Sequence, residues 1–522
     1  MTGVLPSDPI GRRIICDGEY ATVHYVGMVP PTPGIWLGVE WDNPLRGKHD
    51  GRHEGTKYFT CSHPTGGSFI RPKMANFGVK FLTAVTKRYG PSDDWNETMV
   101  VGKKTVELVG FELIQEEQSQ FKTLQDISVR ECLVSEAGEK GEIHMSCPNI
   151  STLNLSKNLL FSWENVAEIA FQLEKLKTLE LSENKLSLPS DPSSLANSFR
   201  HLTALSLNRS GVTWNTVLQC AVMWPELEEL HLASNNITEL ERPVNCLQSL
   251  TLLDISNNHI TDGNQLCAVS DLPRLKQLII SENKISSINF PAPLGCCTES
   301  FASLNHLSVD GNGISQWAFF NELNKLSNLH SLNCQNNPIM ESDKNPETTR
   351  QIIIAKISRL KILNRTVILP QERKGGELDY RKMFGNDWVK SGGHQNTDLN
   401  NPLMEFLLDH PRYSELITKY GAPDEAEIKQ PQPFALKNQL LSLTIMCPEK
   451  ADQKPINRKL PESMTVQKVK GLLYRLLKVP GSELKLSYES SKMEGKEIQL
   501  ENDLKPLHFY SMENGDRVLV RW

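Results

Sequence analysis

Leucines and asparagines recur along the middle of the chain as L-x-x-L-x-L-x-x-N-x-L, and this repeat constrains the fold more than any other feature. One clear copy reads Ile150, Leu153, Leu155, Asn158, Leu160, and the spacing returns with Asn184, Asn235, Asn258, Asn283, Asn312 and Asn337 at the polar position. Weaker copies place Cys132 and Ser210 there, giving nine units whose starts lie 23 to 29 residues apart. A single unit cannot bury its own apolar face, so stacked units must share one core. Each leucine pair reads as a short strand whose alternate residues face away from that core. The Asn amide carries donors and an acceptor for backbone groups left unpaired at the turn. Amphipathic stretches such as Trp163–Ala170 are expected as helices on the opposite side.

The pattern resembles the leucine-rich repeat family, which implies an α/β solenoid over residues 121–388 with a C-terminal cap. The outward strand positions form its concave face and include Glu180, Glu229, His231, Asp254, His306 and Asp310. Over the nine units this face holds five carboxylates and one arginine, Arg130. It therefore suits a protein partner and opposes a phosphate backbone, so no nucleic acid is expected. Residues 360–364 read as an incomplete last strand, and Tyr380, Phe384 and Trp388 as the cap over the final apolar face.

Residues 1–90 differ in character. They are rich in Gly and Pro, alternate in strand fashion at residues 21–27, and hold 11 Lys/Arg against 7 Asp/Glu. In a chain of net charge −6, this local basic excess points to an anionic ligand at one place. The run from Trp36 through Trp41 to Gly47-Lys48-His49-Asp50-Gly51, with Lys57-Tyr58-Phe59 and Gly67-Ser68-Phe69-Ile70-Arg71, resembles the CAP-Gly family. That resemblance implies a small all-β, barrel-like domain that binds acidic, aromatic-ended C-terminal tails of α-tubulin and related proteins. Lys48 and Arg71 would supply charge, the segment Gly47, Lys48, His49, Asp50, Gly51 backbone donors, and Trp36 and Phe69 an apolar slot, with Trp41 and Phe59 in the core. The common family loop reads GKNDG, so His49 is a departure.

Residues 438–522 show strand, helix, strand and strand signals, with Thr465 capping the helix, and resemble an α+β ubiquitin-like β-grasp. Residues 91–120 and 389–437 are expected as linkers, the second with a helix over 404–420 interrupted near Pro411. Ser391–Asn396 and Lys429-Gln430-Pro431-Gln432-Pro433 read as its flexible parts.

No nucleotide-binding, zincin or hydrolase motif occurs, and the 11 Cys and 13 His are scattered, so neither an enzyme, a metal nor a cofactor is expected. No apolar run approaches the roughly 18 residues that span a bilayer, so no membrane is expected, and the N-terminus lacks a secretory core; the expected location is the cytoplasm, at the cytoskeleton. The domain combination is similar to that of the tubulin-folding cofactors. That likeness implies α-tubulin, other tubulin cofactors and a small GTPase as partners in assembling and taking apart the αβ-tubulin heterodimer. Two other readings are a microtubule-tip adaptor, and a ubiquitin-pathway scaffold that meets the proteasome through residues 438–522.

Overall fold

Nine three-residue strands lie where the leucine spacing puts them. The computed structural model describes residues 5–90, 99–101, 104–106, 120–293, 295–341, 346–396, 398–424, 440–449, 454–480, 483–490 and 497–522. They fall into two units, residues 1–261 with 265–283, and residues 262–264 with 284–522. The linker signal at Lys429-Gln430-Pro431-Gln432-Pro433 and most of residues 91–120 lie outside the described residues.

In the first unit Asp126–Ser128, Thr152–Asn154, Thr178–Glu180, Ala204–Ser206, Glu229–His231, Leu252–Asp254 and Gln277–Ile279 pair in parallel. The central residues Leu153, Leu179, Leu205, Leu230, Leu253 and Leu278 align across the sheet and are buried. Beside them the asparagines bridge successive units. The Asn184 amide donates to the carbonyls of Leu155 (3.0 Å) and Leu181 (2.9 Å), and its Oδ1 accepts the N–H of Asn158 (3.0 Å). Ser210, with a shorter side chain, reaches the Leu181 and Asn208 carbonyls only weakly, at 3.5 and 3.3 Å. The convex side carries the helix Trp163–Ala170, whose N-cap Ser162 accepts the Asn165 N–H.

The same unit contains an antiparallel sheet of Arg13–Cys16, Glu19–Val29, Thr32–Trp41 and Gly67–Ile70, in that order, around Ile14, Ala21, Val23, Leu37, Val39 and Trp41. The boundary expected at residue 90 needs correction. Val79–Lys80 pairs in parallel with Val134–Glu136, and the following helix Phe81–Tyr89 buries Phe81, Ala84 and Val85. The Tyr89 hydroxyl accepts the N–H of Ser128, in the first repeat strand, at 2.9 Å. Residues 79–89 thus close the N-terminal edge of the array, whose exposed apolar face needs a cover.

In the second unit His306–Ser308, Ser331–Asn333 and Ile362–Leu363 pair in parallel with one another, and Thr366–Val367 turns back antiparallel. Helices Pro346–Lys356, Pro370–Met383 and Gly385–Lys390 follow. Tyr380 and Trp388 are buried against Ile352 and Ala355, as a cap requires.

The stretch expected as a linker from residue 389 is instead folded through residue 424. Helices Met404–Asp409 and Tyr413–Tyr420, broken at Pro411, place Phe406, Tyr413 and Leu416 in the cap core. Residues 391–396, read as flexible, are tied down: Leu403 N–H donates to Ser391 O at 2.7 Å and Gly393 N–H to Trp388 O at 2.8 Å. Aromatic anchors spaced across a polar stretch outweigh its Gly and Asn content.

The last module is a five-stranded sheet in the order Ile456–Pro461, Leu440–Met446, Arg517–Arg521, Lys485–Glu489, Glu497–Gln499, packed on the helix Val466–Leu477. Thr465 caps that helix by accepting the Lys468 N–H.

Candidate peptide-binding groove

The loop from Gly47 to Gly51 leaves the third CAP-Gly strand and is braced against the fourth. Lys48 N–H donates to Gly67 O at 2.7 Å, and Gly67 N–H returns to His49 O at 2.7 Å. Gly51 has φ +97°, and a Cβ there would lie 2.2 Å from the Phe59 carbonyl, so only glycine fits. Gly51 N–H donates to His49 Nδ1 at 3.0 Å. This geometry corrects the expected role of the loop: the N–H groups of Gly47, Lys48, His49 and Gly51 are spent on bracing. Within this loop, the N–H of Asp50 has no acceptor among the described residues.

Aromatic rings cluster beside this loop. Phe69 is the hub, with centroid distances of 5.0 Å to His49, 5.4 Å to Tyr58, 5.6 Å to Phe59 and 6.3 Å to Tyr25. Phe69 is half-buried, whereas Phe59 and Trp41 are buried core residues. Gly38 makes the packing possible, because a Cβ there would lie 2.5 Å from the Phe59 ring. Tyr25, Tyr58 and His53 were not singled out from sequence, although the alternation at 21–27 and the Lys57-Tyr58-Phe59 run carried the signal.

Charge is supplied from both sides. Lys48 is exposed and makes no ion pair or side-chain hydrogen bond among the described residues. Arg71 stacks on Trp36, its guanidinium 3.7 Å from the ring centroid, and donates to Ile35 O at 3.3 Å. The Trp36 indole N–H is buried and has no acceptor. Asp50 holds Arg52 at 3.5 Å, and its Oδ1 accepts the Arg52 N–H. Burial lowers the pKa of His49, which favours the neutral ring that the Gly51 hydrogen bond needs. The arrangement offers cations, one backbone donor and a cluster of aromatic rings. Among the described residues no cluster of three or more His, Cys, Asp or Glu is placed to hold a metal.

The concave positions divide into two kinds. Asp254 Oδ1 accepts the Ser256 N–H at 2.9 Å, with His231 at 3.6 Å from Oδ2; burial opposes its ionisation, but the nearby His231 and the hydrogen bonds from Ser256 keep its pKa below the usual range. Asp310 likewise accepts the Gln335 N–H at 2.7 Å, and His306 Nδ1 meets Ser331 Oγ at 2.8 Å. These four brace the strands. Glu180 meets Asn154 Nδ2 at 2.5 Å, while Glu229 is exposed.

The architecture defines a modular binding protein: a CAP-Gly groove, a leucine-rich repeat surface and a ubiquitin-like module. Residues 10–75 match the CAP-Gly domain family and residues 440–521 the ubiquitin-like domain family. Tubulin-specific chaperone E of Xenopus laevis is 70% identical over the full length of both chains, and that of Homo sapiens 56% identical over the full length of both. The solved C-terminal ubiquitin-like domain of mouse tubulin-specific chaperone e is 68% identical over 16% of this chain and 87% of that one, with a TM-score of 0.16. The chain belongs to the tubulin-specific chaperone E family. No helix among the described residues is long and apolar enough to cross a membrane.

Proposed function

We propose that this protein is a cytoplasmic tubulin-folding chaperone that holds α-tubulin at two places. The acidic C-terminal tail enters the CAP-Gly groove, where Lys48 and Arg71 meet its carboxylates and Trp36, His49 and Phe69 its terminal aromatic residue. The folded body lies on the repeat array, with half-buried Glu180 and exposed Glu229 among the carboxylates of its concave face. The observation that carries this reading is the unpaired Lys48 beside an aromatic groove whose loop is braced by Gly67. Two linked weak contacts raise effective concentration and can increase avidity about 100-fold. Release follows from different affinities for monomer and heterodimer. Other tubulin cofactors and a small GTPase complete the assembly and dissociation of the heterodimer.

The test compares binding of intact α-tubulin, tail-truncated α-tubulin and a tail peptide to the full chain and to Lys48→Ala. Lys48→Ala should weaken the peptide and intact protein while leaving the truncated protein unchanged. Equal binding of intact and truncated α-tubulin would remove the tail from the mechanism.

A further inference from the structure

The cap helix Pro370–Met383 carries two adjacent interior glycines, residues that helix interiors disfavour. Their neighbours explain them. A Cβ at Gly376 would lie 3.2 Å from the Gln351 carbonyl of the preceding helix, and one at Gly375 would lie 2.8 Å from the Phe509 carbonyl of the ubiquitin-like module. Gly375 is therefore a seat for the 3-10 turn Leu507–Tyr510. Around it, Lys505 pairs with Glu347 at 2.8 Å and Lys382 pairs with Glu513. At the centre, the Ser511 hydroxyl lies 3.0 Å from the Gly375 carbonyl and 2.9 Å from Asp379 Oδ1. One hydroxyl proton faces two acceptors. A proton on Asp379 resolves the conflict: its O–H donates to Ser511 Oγ, and Ser511 donates to Gly375 O.

We propose that the ubiquitin-like module is latched to the array's C-terminal cap by a joint that takes up a proton on Asp379 as it closes, so that rising pH releases the module. Burial raises the Asp379 pKa to about 6. The groups facing it are Lys382 on its own helix, which with Ser511 opposes the rise, and Glu513 and Glu462 of the module, which add to it. Tyr488 of the module's sheet also senses its charge. A carboxyl whose pKa is higher in the closed state favours closure below its free pKa and loses that contribution as pH climbs through 6. Opening bares the Gly375 seat and the 505–513 surface together, which closure keeps from other partners.

Hydrogen exchange on the full chain tests the joint. Protection factors of amides 374–380 and 508–513, corrected for intrinsic rates, should be about fourfold lower at pH 7.5 than at pH 5.5. Asp379→Asn supplies a permanent donor to Ser511 and should hold the joint closed with no pH dependence. Lys505→Glu, a partly exposed change, should lower protection at both pH values, and adding Glu347→Lys should restore it. An unchanged pH ratio in Asp379→Asn, or protection indifferent to Lys505→Glu, would overturn the proposal.

Discussion

The N–H of Gly51 donates to Nδ1 of His49 across 3.0 Å, so the side chain that departs from the family loop also closes it. Asn at this position has Oδ1 at the same distance along its side chain and can accept the same bond. The departure therefore exchanges a pH-independent acceptor for one that fails on protonation.

A pH effect follows with a definite sign. The folded pKa of His49 lies below its ordinary value, so its contribution is present above about 6.5 and is lost as pH falls through the depressed value. The wild-type CAP-Gly sheet should lose about 1 kcal/mol relative to His49→Asn between neutral pH and pH 5, read from denaturation at each pH. Equal pH profiles would show that the Gly51 bond does not depend on the imidazole.

Asp42 joins the CAP-Gly sheet to the array, receiving Arg13 within the domain and Lys185 from the third repeat at 2.9 Å. Arg13 is nearly inaccessible, so Asp42→Ala strands a buried charge and should cost about 3 kcal/mol. Lys185→Ala, at a half-exposed and screened position, should cost less than about 0.5 kcal/mol. Exchange protection of residues 13–23 in each variant checks the ranking.

The ladder makes its own prediction. Asn184→Ala leaves the buried Asn158 N–H without its acceptor and takes one of the donors from each of the Leu155 and Leu181 carbonyls, which keep Asn158 Nδ2 and the Asn184 N–H respectively. It should destabilise the first unit by about 2–3 kcal/mol, and Asn184→Ser by less, as Ser210 illustrates. Urea denaturation of both variants reads the difference.

Arg412 tests whether residues 404–424 are structural. Its guanidinium bonds Glu377 at 3.1 Å and Glu415 at 2.8 Å, and both Arg412 and Glu377 are buried. Arg412→Ala should cost about 3–5 kcal/mol in the melting of the second unit. A connector would tolerate the change, so a shift near zero would return this segment to linker status.

The sequence by itself determined the elements whose chemistry is local and periodic. Leucine spacing located nine strands, the asparagines at the repeat's polar position located the ladder, and Thr465 marked its helix start. The glycine and aromatic run located the CAP-Gly domain and separated buried Trp41 and Phe59 from half-buried Trp36 and Phe69. What only the tertiary structure decided are contacts between residues far apart in the chain. Tyr89 meeting Ser128, Arg412 meeting Glu377, and Gly375 receiving Phe509 have no local signature, because a buried partner is defined by the folded neighbourhood and not by spacing. For the same reason the loop at residues 47–51 was legible as a motif, but only the fold reveals that its backbone donors are spent on bracing and that His49 completes the brace.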